Sequence, residues 1–309
     1  MLATLNAIAP VFLIIIGGYV LNRTKLVGPE IWSAVEHICF YLLFPALIVK
    51  TLSRANLGDL PIAAFAFVVV AAVIGMAALL LAAKPLLARR YHVSGPTFTS
   101  LFQGATRFHG FMALAIVGSL YGAEGVTLCA IALGVMIPLL NLLNVAVLTL
   151  YGANAQAASP RRLLLNIIEN PLIIACIVGF VFNLTGLPDF IFNAIDITSG
   201  GGLGLALLAV GAGIDLDRAT QTKALVAVGV FIRLIGMPLL MIAFAWSVGL
   251  EGLPRTIAII AGAVPTASTA YVMARKMGGD AELMANIVTF QVIAAAVTLP
   301  VFIYIAEAA

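Results

Sequence analysis

The chain has 309 residues, of which 63% are apolar and 9% charged, and its formal net charge is +3. Its mean hydropathy is +1.15. Soluble domains carry about a quarter charged residues, so this composition excludes a soluble globular protein, gives no support to a nucleic-acid partner, and describes a polytopic membrane protein.

No stretch is polar enough to form a separate soluble domain, so one transmembrane domain is expected to fill residues 1–309. A span needs about 20 apolar residues to cross the hydrocarbon. Punctuation by Gly, Pro and charge marks ten of them. The first, residues 5–21, has no Lys or Arg ahead of it and no small-residue cleavage site after it, so it reads as a retained span. The second covers 35–52 with Pro45 inside it, and the third covers 60–83 and ends at Lys84 and Arg89. The fourth, 98–121, contains GATRFHG at 104–110, where Arg107 and His109 interrupt an apolar run. The fifth, 126–151, carries Pro138, Asn141 and Asn144.

A polar linker, 152–165, divides the chain almost in half. Spans six to ten follow at 171–184, 197–214, 224–248, 256–274 and 281–305. Superposing the halves with an offset of 161 aligns Pro10 with Pro171, Gly18 with Gly179, Asn22 with Asn183 and Thr24 with Thr185. Such polar and small residues in one register point to an internal repeat, 1–151 and 166–309. Five spans per copy make the second copy enter from the opposite side, so the repeat is inverted. Such repeats belong to secondary transporters, whose sites lie near the midplane.

Alternate loops receive eleven Lys and Arg on one side (among them Arg23, Lys84, Arg161, Arg218 and Lys276) and three on the other (Lys50, Arg54 and Arg255). This bias places the linker in the cytoplasm and both termini outside. Arg107 and Arg233 are the two that lie within spans. An Arg inside a span costs at least about 2.5–3.5 kcal/mol, so it must face a cavity, a counter-charge or backbone carbonyls. Arg107 has no acidic residue within one turn and is the first site candidate. Arg233 stands two residues before the break at Gly236, and either holds the fold or faces the cavity. His109 would suit proton coupling by its titration range, although a lone His in an apolar run is more often packing.

Gly104 and Gly110 in the fourth span, and Gly262 and Pro265 in the ninth, are expected to loosen the two helices. If each opens there, the N-terminus of its second half brings positive partial charge into the membrane. With Arg107 nearby this makes an anion site, to which Thr266, Ser268 and Thr269 add hydroxyls. Asn141 and Gln291 either line the same cavity or bond neighbouring helices. No cofactor or metal is expected, because His37, His92 and His109 lie in separate segments without ligand spacing. Cys39, Cys129 and Cys176 lack a paired motif and read as packing residues. No nucleophile motif, zinc helix or phosphate loop appears, so no enzymatic activity is expected.

The segments QGATRFHGFMALAIVGSLYGAEG (103–125), VMIPLLNLLNV (135–145) and AGAVPTASTAYVMARKMGGD (261–280) resemble the auxin efflux carrier family of bacterial permeases. That family is similar to plant auxin transporters and, more distantly, to bile acid sodium symporters. The resemblance implies an all-α membrane protein of ten transmembrane helices in two inverted five-helix repeats, with broken, crossing fourth and ninth helices. It implies a scaffold of spans one, two, six and seven, a transport domain of the others, and a homodimer. Members commonly carry Asn in the fourth-span break, where this chain has Arg107, Phe108 and His109.

The expected function is secondary transport of a small carboxylate, auxin-like or malonate-like, across a bacterial inner membrane. The expected substrate contacts are Arg107, His109, Gly110, Asn141, Pro265, Thr266, Ser268, Thr269, Arg233 and Gln291. The alternative is a membrane sensor that binds an organic acid without net transport.

Overall fold

The computed structural model describes residues 2–58, 60–153, 165, 168–214 and 224–308. Residues 154–164 of the expected linker, including Arg161 and Arg162, lie outside the described residues, as does Arg218. The described chain is helical, without a strand among the described residues. The helices are α1 (Leu2–Arg23), α2 (Pro29–Ile38), α3 (Phe44–Ser53), α4 (Ile62–Tyr91), α5 (Gly95–Thr106), α6 (Gly110–Tyr151), α7 (Pro171–Thr185), α8 (Asp189–Ser199), α9 (Gly202–Ala212), α10 (Ala224–Phe231), α11 (Met237–Ser247), α12 (Gly252–Ala263), α13 (Thr269–Met277) and α14 (Ala281–Ala308).

Six helical segments among them are long and apolar enough to cross a membrane: Glu30–Ser53, Ile62–Tyr91, Gly95–Tyr151, Asp189–Ala212, Ala224–Ser247 and Ala281–Ala308. Three more, Ile8–Arg23, Pro171–Thr185 and Gly252–Ala263, are apolar but shorter. The protein is therefore a polytopic helical membrane protein. Exposed Leu13, Leu79, Leu239 and Val297 suit a solvent of lipid tails.

Two boundaries differ from the expected spans for local reasons. The helix leading into the seventh span begins at Asp189 rather than near residue 197, because Pro188 precedes the first helical turn and the acidic Asp189 suits its positive end. The third span extends to Tyr91, and Arg89 and Arg90 in its last turn complement the negative end of α4.

The chain forms two compact units. The first comprises Met1–Ile62, Gly110–Gly134 and Leu165–Ile214. Two helix crossings hold it, and both use the same device. In α1, a Cβ on Gly18 would overlap the Leu208 carbonyl oxygen, and one on Gly211 of α9 would overlap that of Ile15. Four residues after Gly18, Asn22 donates from Nδ2 to the Ala212 carbonyl at 2.8 Å, at the C-terminal end of α9. In α7, a Cβ on Gly179 would lie 2.7 Å from the Leu52 Cβ. Again four residues on, Asn183 donates to the carbonyls of Leu52 (2.9 Å) and Ala55 (2.8 Å) at the end of α3. Lipid tails are as apolar as the helices, so close packing and hydrogen bonds drive this association instead of the hydrophobic effect.

Within α6, Gly122 has φ 58° and ψ −146°, a conformation closed to residues with a Cβ. The chain reverses there. Residues eight apart on a straight helix are separated by about 12 Å, yet a Cβ on Gly125 would lie 2.7 Å from the Val117 Cγ1. Residues 110–121 and 123–134 therefore form a hairpin, in agreement with the expected end of the fourth span at 121.

The second unit comprises Ala63–His109, Val135–Leu164 and Asp215–Ala309. Its core is lined by Phe65, Val69, Phe98, Phe102, Ile257, Ile260 and Ile287, all almost wholly buried. Between α10 and α11 the residues Ile232–Gly236 form a π turn. Pro238 follows and lacks the N–H that would bond one turn back, so the turn widens by one residue. That turn carries Arg233.

Candidate functional site

Helix α5 stops at Thr106 because Arg107 adopts an extended backbone, φ −67° and ψ 151°. The next helix, α6, starts at Gly110. Helix α12 stops at Ala263 in the same manner, with Val264 at φ −69° and ψ 148°. Here the cause is Pro265, whose ring disfavours the helical conformation in the residue before it. The following helix, α13, starts at Thr269. The interruptions fall at 107–109 and 264–268, as the polar residues in two apolar runs indicate.

Gly104 and Gly262, expected to loosen these helices, lie inside regular turns instead. A Cβ on Gly104 would meet the Ile287 Cγ2 at 2.8 Å, and one on Gly262 the Met241 Cγ at 2.8 Å. Their function is close packing.

The two breaks are bonded to each other. The His109 N–H donates to the Pro265 carbonyl at 2.7 Å. The Thr266 hydroxyl reaches the Gly104 carbonyl at 2.8 Å and that of Arg107 at 3.2 Å. Gln291 completes the crossing from α14: its Oε1 accepts from the Thr266 N–H at 2.8 Å, and its Nε2 donates to the carbonyls of Gly104 (2.8 Å) and Gly229 (3.1 Å). Arg233 is wholly buried. It donates from Nε to the Val264 carbonyl at 2.8 Å and from Nη2 to that of Ala261 at 2.9 Å. Its Nη1 lies 3.4 Å from the Thr106 carbonyl and 3.5 Å from that of Ala105.

Arg107 is arranged differently. Its side chain is half-buried. Nη2 donates to Asn141 Oδ1 at 3.2 Å and contacts Met273 Sδ at 3.2 Å, while the buried Nε makes no hydrogen bond. Ion pairs among the described residues include Lys50 with Asp196 and Arg54 with Asp189, both in the first unit. Arg107 has no carboxylate partner among them.

The expected site residues thus divide into two groups. Arg107 and Asn141 meet directly. Thr266, Gln291 and Arg233 are bonded into the crossing, and Pro265 supplies one of its carbonyls. His109 is buried beside them. Gly110 opens α6, while half-buried Ser268 precedes α13 and exposed Thr269 begins it. Neither His109 nor Ser268 caps its helix through its side chain, so the first N–H groups of α6 and α13 receive no bond from the capping side chain.

Two contributors were not among the expected residues. Met273, one turn into α13, gave no sequence signal because Met is ordinary in a span. Gln103 did: it is the polar residue one turn before Arg107, its carbonyl accepts the Arg107 N–H at 2.9 Å, and its buried side-chain amide makes no hydrogen bond. Chemically the arrangement offers a cation with a spare donor, held at a helix interruption, beside a crossing in which Thr266, Gln291 and Arg233 are already engaged.

A family model described as "Membrane transport protein" matches residues 3–303. The chain is 22% identical to an uncharacterized transporter of Methanothermobacter thermautotrophicus, over 96% of each chain. It is 29% identical over 168 residues to a probable auxin efflux carrier component 3b of Oryza sativa, covering 48% of this chain and 28% of the rice protein. Against auxin efflux carrier component 6 of Arabidopsis thaliana it is 30% identical over 159 residues, covering 46% of this chain and 27% of the plant protein. The chain thus spans only about a quarter of the length of these plant relatives, but the whole of it matches the family model: it belongs to the membrane transport protein family that includes the auxin efflux carriers.

Proposed function

We propose that the protein is a secondary active transporter of a small organic anion, with the anion's carboxylate bound by Arg107. The observation that carries this reading is the Arg107 guanidinium itself, set in a helix break, with an unbonded Nε and no carboxylate partner among the described residues. A cation set inside an apolar span is costly unless something neutralises it, and an incoming carboxylate does so with charge-assisted hydrogen bonds. Asn141 orients the guanidinium. The N–H groups at the start of α13, with the hydroxyls of Ser268 and Thr269, add donors to the same anion, and His109 takes part in proton coupling.

Ten spans in two inverted sets of five form the frame of this reading. Its support is the Gly-and-Asn device, which recurs at Gly18 and Asn22 and at Gly179 and Asn183 in the register the repeat predicts. Spans one, two, six and seven act as the scaffold, and movement of the remaining spans against it gives alternating access. Residues 1–62 and 165–214, which hold spans one, two, six and seven, fall in one compact unit, and that unit also takes 110–134 from the fourth and fifth spans. The names of the plant relatives as auxin efflux carriers favour an organic acid as cargo. The protein acts in a bacterial inner membrane with both termini outside and as a homodimer through its scaffold.

The test is a thermal-shift screen of organic acids on purified protein, since a bound ligand stabilises by mass action, followed by uptake into proteoliposomes. Stabilisation and saturable counterflow that both disappear in Arg107→Gln are expected. Stabilisation without flux would establish a sensor in place of a transporter, and an unchanged affinity in a folded Arg107→Gln protein would remove Arg107 from the site.

A further inference from the structure

Arg233 is the largest fully buried side chain of the described residues, and a charge so placed requires an explanation. Its bonds supply one. The carbonyls of Ala105 and Thr106 lie at the C-terminal end of α5, and those of Ala261 and Val264 at the C-terminal end of α12. These are carbonyls that have lost their helical partners because the helices stop there. Each helix end carries about half a negative elementary charge. Two ends facing one guanidinium therefore balance about one full positive charge. No carboxylate is needed, and the planar fork of Arg reaches two chains at once where a Lys ammonium would act as a point.

The π turn at Ile232–Gly236 is the local device that permits this. An added residue in the turn re-aims a side chain inward, and such turns recur at functional positions.

We propose that Arg233 is a positioning residue: it clamps the C-terminal ends of the two interrupted helices, and because its charge is balanced by them it leaves Arg107, among the described residues at the two breaks, as the cation offered to the substrate. The clamp rests on the proposed anion site for its consequence, though not for its geometry. It fixes where α5 and α12 end, and so where Arg107 leaves α5 and where Thr266 meets Gln291. Arg233 touches no part of the substrate.

The experiment compares Arg233→Lys and Arg233→Gln with the unmodified full chain in detergent, using hydrogen–deuterium exchange and the binding and counterflow of indole-3-acetate and malonate. In Arg233→Lys, amide exchange at 107–109 and 264–268 should rise at least tenfold together. Exchange at the crossing of α1 and α9 should stay unchanged. Counterflow per folded protein should fall at least tenfold at saturating probe, with the dissociation constant altered by less than threefold. Arg233→Gln should open both breaks further.

Exchange that is unchanged in both variants would overturn the clamp. So would a dissociation constant raised tenfold or more with saturated counterflow preserved, because that places Arg233 on the substrate. If neither probe binds the unmodified protein, the anion reading fails for those acids while the exchange result still decides the clamp.

Discussion

At the first break Arg107 leaves the helix without a proline and keeps its buried Nε unbonded, whereas at the second Val264 leaves because Pro265 follows, and Thr266 is bonded through both its N–H and its hydroxyl. The two breaks share a backbone geometry at their C-caps yet differ in what their side chains have left to offer. The difference separates two tasks that look alike in a sequence. One break presents a charge, and the other keeps the crossing closed. A substitution at Arg107 should therefore act on binding, and one at Thr266 or its partner Gln291 on stability.

The largest effect should come from Arg107→Gln. Loss of a charge-assisted hydrogen bond costs about 1.5–3 kcal/mol, which lowers carboxylate affinity by roughly ten- to a hundredfold. Unfolding in detergent should hardly change. Gln291→Leu should give the opposite pattern. It strips the Thr266 N–H and the Gly104 carbonyl of a partner in a buried place, at a cost of about 1–3 kcal/mol for an unsatisfied group. The unfolding midpoint should fall, and the affinity of the remaining folded protein should stay within about threefold of the unmodified chain on the same argument.

A milder version of that experiment is Thr266→Val, which removes the hydroxyl's contacts with the Gly104 and Arg107 carbonyls, keeps the Thr266 N–H bond to Gln291, and should cost about 1 kcal/mol of stability. A large loss of carboxylate affinity with stability intact would place Thr266 on the substrate and erase the division between the breaks. Ser268→Ala should be smallest. Its hydroxyl caps nothing in the structure, so stability should move by less than about 0.5 kcal/mol. Affinity measured by thermal shift should drop by about threefold if the hydroxyl reaches the anion, equivalent to one weak neutral hydrogen bond.

The breaks were legible because polar side chains in apolar runs are expensive, and an expense in a membrane has few explanations. Pro265 marked its break directly, through a rule about the residue before proline. The reversal at Gly122 was legible as a boundary, since the apolar runs stop at 121 and resume at 126. Gly104 and Gly262 misled for a physical reason. A glycine permits an opening but equally permits a close neighbour, and only the side chains of Ile287 and Met241 decide between these uses.

Arg233 was ambiguous for a similar reason. Its partners are backbone carbonyls from two distant helices, and a carbonyl has no letter in the sequence. Gln291 and Thr266 shared this fate. Each could be recognised as polar and central, but donors that serve a ligand and donors that serve the chain are spelled alike.

The one-residue reversal at Gly122 has a practical consequence for mapping the protein's orientation. Reporter tags are commonly placed between spans, and the boundary between 121 and 123 invites one. The legs of this hairpin touch immediately, with Gly125 against Val117 and Gly118 against Val126, so an inserted tag would force them apart and register as a protein that does not fold.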